Sequence, residues 1–424
     1  MPDNKSRVLF ISSIDPLTGP GAIATDYVNA LRKGGYDVDL LSKYPVPGRP
    51  DILHVSEKSE RRLSNLKYKL WRRIVKPDPK ATHALFYRKE TEPPVPIEKV
   101  LSAIGREYDA IMIFFWQTLL SYATVRALYR HMAKKPKVIF LCADYSPMTG
   151  ACHFMDGCRN YESGCGNCPM IRSKNKRDFT NFNMKYRMAV NSEVKPAVIL
   201  NRYMRGFFEK SPAMQCGARF ADGTILLDLD KFKPGDMANL RRKYSIAPEN
   251  FVILFGCQSL DNPRKGMLLL VKSLTLLHAS LSSTERDKIQ VMIVGTNAAD
   301  IASIIPFESI LPGYVPVDKL PELYSMADVF LSASVDDAGP SMVNQSIACG
   351  TPIVAFEIGT ALDVVQGRGT GHCVATQDCK SFSEAILDIY RQTPEEKCAM
   401  RNKCRQVATE MHSPEAFLKI FNSI

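Results

Sequence analysis

Four stretches of this sequence combine residue types and spacings that could do chemistry. The first runs from Ser334 to Thr351. A loop, Ser334-Val335-Asp336-Asp337-Ala338-Gly339, leads into Pro340, which fits the first position of a helix because its missing N–H costs nothing there. Gly350 ends that helix and Pro352 prevents its continuation. The N–H groups of Gly339, Ser341 and Met342 would point outward at the positive end of the helix, an anion or phosphate site by geometry and dipole. Gly339 would let the anion come close, Asp337 could accept hydrogen bonds from hydroxyls, and Gln345 would lie about two turns along the same side. Taken alone, the same residues also make an ordinary capped helix. The second stretch, Arg264-Lys265-Gly266, would alone be a solvated basic turn. The third is Cys152, Cys158, Cys165 and Cys168, ending in the knuckle Cys165-Gly166-Asn167-Cys168. Four thiolates at such spacing suit a structural zinc, with His153 as a substitute ligand. The alternatives are four loosely packed thiols or two disulfides. The surrounding residues form loops, so a metal or covalent bonds would have to organise them. The fourth stretch is Lys58–Lys76. Leu63, Leu66, Leu70, Trp71 and Ile74 share one helical face and Lys and Arg crowd the rest. That pattern suits an anionic membrane surface, or a surface helix packed on its own domain.

These residues must be positioned by elements, and the apolar runs show which. Val8–Ser12, Val38–Leu41, Ile111–Phe115 and Val138–Leu141 read as buried strands, with helices over Ala22–Lys33 and Tyr122–Met132. A second opening unit follows: strand Phe251–Phe255, a polar loop, and helix Met267–Leu277. Val291–Val294, Ile310–Leu311, Val329–Leu331 and Ile353–Ala355 are its later strands. The alternation predicts two α/β, Rossmann-like, doubly wound halves with parallel sheets. The expected division is 1–205 and 206–404, with 405–424 returning as a helix onto the first half.

The stretch from Asp337 through Gln345 to Cys349-Gly350-Thr351-Pro352 resembles the donor motif of retaining glycosyltransferases of family 4, which have the GT-B fold. Gly19 and Gly21 resemble its N-domain glycine loop, and Arg264-Lys265-Gly266 its basic diphosphate-binding element. Ala327–Leu331 is similar to the strand before the motif. Asp144–Phe154 is similar to a stretch found in members acting in bacterial polysaccharide assembly. The resemblance implies two domains facing across a cleft and a UDP- or GDP-sugar donor. It implies that Lys265 and Arg264 neutralise the diphosphate, that Asp337 bonds sugar hydroxyls, and that Gly339, Pro340, Ser341 and Met342 hold phosphate or sugar. Gln345 would reach the ribose, Gly313 and Tyr314 would meet the base, and Gly19 and Gly21 would approach the diphosphate. Asp144, Lys265 and Asp337 are the catalytic residues so implied. Fixed positive charge and helix N-termini would stabilise the leaving group without a catalytic metal. The departing phosphate would itself take the acceptor's proton. Asp337 and Gln345 replace two family glutamates, Gln258 stands in place of an arginine unless Arg264 takes it over, and Ala143-Asp144 stands where many members carry His-Asp.

The expected function is transfer of a sugar from its nucleotide to a glycan or lipid-linked glycan in cell-surface polysaccharide synthesis. Ala143 and Gln345 suggest the alternative, a catalytically silent binder of sugar nucleotide or glycan. The chain has 424 residues, 45% of them apolar, and a formal charge of +11. That is enough for two full cores, and the charge favours anionic partners. Nucleic acid is not expected, because aromatics do not interleave the basic residues. Neither a signal core nor a membrane-spanning run of about 18 apolar residues occurs, so the expected location is the cytoplasm, with peripheral contact at the inner membrane through residues 58–76.

Overall fold

The computed structural model describes residues 5–16, 19–56, 70, 89–313 and 315–424. Tyr314 therefore lies outside the described residues, as does the basic stretch 58–76 apart from Leu70. Two compact units divide the chain. One comprises Met1–Leu200, Met204–Gly223 and Phe417–Ile424; the other comprises Asn201–Tyr203 and Thr224–Ala416.

The first unit is built on β1 (Arg7–Ser12), β2 (Asp37–Ser42), β3 (Leu53–His54), β4 (Ala110–Phe114), β5 (Lys137–Leu141), β6 (Ala197–Leu200) and β7 (Arg219–Asp222). They form one sheet in the order β3-β2-β1-β4-β5-β6-β7. Every pairing is parallel. All five residues of β4 are buried, which is why its sequence is a continuous apolar run and not an alternating one. The unit extends past the expected boundary after residue 205, because β7 pairs with β6 and completes the sheet. The returning segment is shorter than expected. Only Phe417–Ile424 joins the first unit, where Phe417 meets Tyr27 edge-on at 4.8 Å and Phe421 meets Tyr36 at 5.1 Å. Residues 405–416 stay with the second unit. Arg405 donates to the carbonyls of Leu229, Phe232 and Ala348, and Val407 and Ala408 are buried in that unit's core.

The second unit is built on β8 (Phe251–Ser259), β9 (Ile289–Thr296), β10 (Glu308–Ile310), β11 (Val329–Ser332), β12 (Ile353–Phe356) and β13 (Gly371–Val374). Their order is β10-β9-β8-β11-β12-β13, again parallel throughout.

In each sheet the chain runs outward one way, then returns to build the other side. The reversal falls between β1 and β4 in the first unit and between β8 and β11 in the second. Such switch points open a crevice beyond the carboxyl ends of the strands, where open α/β sheets take their ligands.

Candidate functional site

Two groups of side chains stand at these carboxyl ends. In the second unit, β8 leads through a register shift between Gly256 and Ser259 into a short turn. Asn262 caps it, its side-chain oxygen accepting from Arg264 N at 3.2 Å. Gly266 closes the turn at φ +65°, and a Cβ there would sit 1.9 Å from the Ala333 carbonyl oxygen. Only glycine fits this close approach in the left-handed region. The turn is thereby stitched to the loop that follows β11. Val335 N donates to Arg264 O at 2.8 Å and Arg264 Nη1 to Asp336 O at 3.0 Å. Lys265 Nζ lies 2.5 Å from Asp337 Oδ2. The lysine side chain is 22% exposed and the aspartate 10%. A cation and a carboxylate thus stand together, partly shielded from water, at the crevice between β8 and β11.

The helix Ser341–Ala348 begins beside this pair one position later than expected, with Pro340 as its N-cap, and no side chain caps it. Ser341 and Met342 thus open a helix whose first turn no side chain neutralises. Gly339 has another role than the sequence suggests. Its N–H donates to Asp337 Oδ1 at 3.1 Å, so it does not point outward. A Cβ on it would lie 2.9 Å from Thr360 Cγ2; this glycine makes room for the loop after β12. Gln345 Oε1 accepts from the buried Tyr324 hydroxyl at 2.9 Å, so its amide N–H groups are what it can offer a ribose. Gly313 has φ +74° with nothing near its Cβ position. In the first unit, Gly19 opens the helix Gly19–Lys33, and a Cβ on Gly21 would lie 1.9 Å from Asp15 O. Gly21 therefore accommodates its own loop.

Three residues at this site carry no sequence signal. Asn201 Nδ2 donates to the Ala338 carbonyl. Burial and the charges of Asp336 and Asp337 raise the Tyr203 phenol to about 12. Arg202 Nε holds Asp363 Oδ1 at 3.0 Å. They arrive on a three-residue excursion from the first unit's chain into the second, which no local pattern announces.

In the first unit, Asp144 follows β5 and Gln117 follows β4. Asp144 Oδ2 accepts from Gln117 Nε2 at 2.7 Å and lies 2.7 Å from His153 Nδ1, while Oδ1 accepts from Ser146 N at 2.7 Å. Burial opposes the Asp144 charge, but His153 and Ser146 outweigh it and hold the carboxyl below the usual carboxylate range. Alongside lies a small cleft lined by Gln117, Ser146, Trp116, Glu90 and Arg187 among others. Arg187 and Glu90 form a buried pair there, Nη2 to Oε1 at 2.5 Å.

The expected zinc at Cys152, Cys158, Cys165 and Cys168 finds no support in the structure. Among the described residues, no group of three or more His, Cys, Asp or Glu side chains is placed to hold a metal ion. All twelve cysteines are free, so the two-disulfide alternative fails as well. Burial pushes the Cys165 thiol up to about 12 and Cys168 up to about 11, and raises Cys152 well above the usual thiol range, with the neighbouring thiols adding to the shift. Polar side chains do the organising. Asn160 Nδ2 donates to Gly166 O at 3.1 Å, Thr180 Oγ1 accepts from Gly166 N at 3.1 Å, Asp178 Oδ2 from Cys168 N at 3.0 Å, and Asn181 Nδ2 donates to Gly164 O at 2.9 Å.

Known proteins share both the second unit's sequence pattern and the whole fold. Residues 250–392 match the family model described as Glycosyl transferases group 1. The chain is 29% identical over 179 residues to the D-inositol 3-phosphate glycosyltransferase of Geodermatophilus obscurus, a match that covers 38% of each chain. The chain thus spans well under half the length of that relative. Sucrose-phosphate synthase from Thermosynechococcus elongatus has a TM-score of 0.63 at 16% identity, covering 99% of this chain and all of its own. Anabaena HepE, in complex with UDP and glucose, has a TM-score of 0.61 at 12% identity, covering 99% and 100%. The fold is GT-B.

Proposed function

We propose, from a group 1 glycosyl transferase domain set in a GT-B fold, that the protein is a retaining glycosyltransferase. It moves a sugar from a UDP- or GDP-sugar to a glycan or lipid-linked glycan of the cell surface. The observation that carries this reading is the Lys265–Asp337 pair beside an uncapped helix start.

A diphosphate entering that crevice competes with Asp337 for Lys265. As the lysine turns to the phosphate, Asp337 Oδ2 is released to accept from a sugar hydroxyl. Binding thus exchanges one charge pair for two contacts to the donor. Negative charge then develops on the departing phosphate, where Lys265, Arg264 and the N–H groups of Ser341 and Met342 stabilise it. The acceptor hydroxyl gives its proton to that phosphate and forms the new bond on the face it leaves, which retains the anomeric configuration. No residue of the chain has to act as nucleophile.

The donor is found by thermal shift against a panel of UDP- and GDP-sugars, followed by a transfer assay with glycan and lipid-linked glycan acceptors. A relative named for D-inositol 3-phosphate widens the acceptor panel to phosphorylated polyols. Stabilisation by one nucleotide sugar, with turnover lost in Lys265→Ala, is the expected result. Unchanged turnover in that variant removes the basis for the assignment. Stabilisation without hydrolysis or transfer would make the protein a silent binder. Peripheral membrane contact through residues 58–76 is read by co-sedimentation with anionic and neutral vesicles.

A further inference from the structure

We propose that the loop 172–177 and the exposed side of the helix Phe179–Val194 form a docking surface for an anionic lipid bilayer. Both belong to the first unit. Vesicle binding is measured without sugar transfer, so the proposal stands apart from the glycosyltransferase reading.

Residues 170–189 carry six Lys or Arg and a single acid, Asp178. Arg187 is buried and paired with Glu90. The other five cations, Arg172, Lys174, Lys176, Arg177 and Lys185, are exposed. Lys174, Lys176, Arg177 and Lys185 form no ion pair with any described residue. Asp178 does not meet them, because its oxygens serve the fold. Oδ1 accepts from Thr180 N at 2.9 Å and Thr180 Oγ1 at 2.6 Å, and Oδ2 accepts from Cys168 N at 3.0 Å. Further hydrogen bonds fix how the cations are presented. Asn175 O accepts from Asn167 N at 2.9 Å, Asn175 Oδ1 from Arg177 N at 2.8 Å, and Cys168 O from Ser173 N at 3.0 Å. The charges thus stand on a held loop, which loses less conformational freedom on meeting a surface than a loose one.

One turn into the helix stands Phe182, 44% exposed. Its ring stacks on Tyr186, with centroids 6.4 Å apart and planes at 28°. The Arg126 guanidinium lies 5.0 Å from the Tyr186 ring and is held by Glu193 at 3.4 Å. Phe182 is therefore supported from the protein side and open on the other. Lys185 lies three residues on, the next position along the same side of a helix. An open aromatic ring between cations decides the occupant. A soluble polyanion would meet the cations and leave the ring in water. The headgroup layer of an anionic bilayer takes both: its acidic headgroups attract Lys and Arg, and an aromatic ring settles at its boundary with the acyl chains.

Co-sedimentation of the full chain with vesicles tests the surface. The vesicles are phosphatidylcholine alone, or phosphatidylcholine mixed with an equal part of phosphatidylglycerol. Wild type is expected to bind the mixed vesicles, less strongly as salt rises, and to stay in solution with the neutral ones. Lys174→Ser/Lys176→Ser/Arg177→Ser should bind the mixed vesicles about 10²-fold more weakly, at about fivefold per cation, with an unchanged melting temperature. Phe182→Ser should bind more weakly than wild type and keep the salt dependence. Wild-type affinity in the triple variant overturns the proposal and places the contact elsewhere in the chain. No binding of wild type to the mixed vesicles overturns it outright. Phe182→Trp reports on the ring itself. Its emission should move to the blue on mixed vesicles, beyond any change in wild type, and stay in place with heparin as a soluble polyanion. Heparin binding as tight as vesicle binding, with no such emission change on vesicles, makes the partner a soluble polyanion and excludes the bilayer.

Discussion

Lys265 and Asp337 stand 72 residues apart in sequence and 2.5 Å apart in the fold. Removing the lysine alone takes the cation from a carboxylate that is only 10% exposed. Lys265→Ala should therefore lower unfolding free energy by about 1–3 kcal/mol, the range for losing one partner of a partly shielded pair. Lys265→Ala/Asp337→Ala should recover part of that stability while donor affinity stays at least about tenfold weaker, the weight of a single charge-assisted hydrogen bond. Urea denaturation and calorimetric titration with the donor separate the two effects. Full donor affinity in the single variant would show that Lys265 does not meet the diphosphate. The residue types at 265 and 337 were legible from local spacing. Their bond to each other was not, because it depends on how β8 and β11 pair. Gly339 was legible as a necessary glycine for a different reason from the real one, since Thr360 lies beyond the next strand and its approach leaves no local mark. Nothing in the local sequence marks that the Tyr324 hydroxyl occupies the Gln345 oxygen. The cysteine spacing could not show that Asn160, Asp178, Thr180 and Asn181 tie the same loops.

At the scale of elements, the turn Pro263–Lys265 and the helix Pro394–His412 make separate predictions. Gly266→Ala places a Cβ 1.9 Å from Ala333 O in a backbone with φ +65°. The turn must move away from β11, at a cost of about 1–3 kcal/mol, and Lys265 moves with it. Donor affinity should fall in Gly266→Ala although no side chain that meets the donor has changed; an affinity equal to wild type would show that the turn does not set the lysine. The helix end depends on His412. It is fully buried, its Nδ1 lies 2.7 Å from Ile225 O, and burial lowers its pKa from 6.5 to about 4. Above pH 6.5 the ring is neutral in both states and pH has no effect through it. Between pH 6.5 and 4 the unfolded chain binds the proton and the folded chain does not. Stability therefore falls as pH falls, by about 2 kcal/mol from pH 6.5 to 5 at 1.4 kcal/mol per unit. His412→Asn keeps a donor for Ile225 O and removes the titration, so its stability should be flatter across that interval. Equal slopes in the two proteins would sink this account. Central strands such as β4 and β8 were legible because burial on both faces makes continuous apolar runs. β7 (Arg219–Asp222) and β13 (Gly371–Val374) are only partly buried or exposed along their length, and so leave no such run.

At the scale of the whole molecule, the chain closes its first unit with its last residues. Each unit has its own parallel sheet, and the composition and repeated strand–loop–helix pattern announced two such halves. The pattern could not announce that residues 405–416 belong to one half and Phe417–Ile424 to the other, because both stretches are helical and amphipathic. The ownership is settled by partners: Arg405 finds carbonyls of the second unit, while Phe417 and Phe421 find Tyr27 and Tyr36. This division predicts a selective loss. Phe417 is 5% exposed and packs edge-on against the fully buried Tyr27, and Tyr27 stacks with Phe10 of β1 at 6.0 Å. Phe417→Ala should open a cavity at that point and destabilise the first unit by about 3–5 kcal/mol. Amide exchange should quicken in β1, β2 and the helix Gly19–Lys33. Protection of β8, β11 and the helix Ser341–Ala348 should stay close to wild type, and donor-induced stabilisation of the second unit should persist. Uniform loss of protection across both units would show that they unfold as one body, and that the last helix serves the whole chain instead of its first unit.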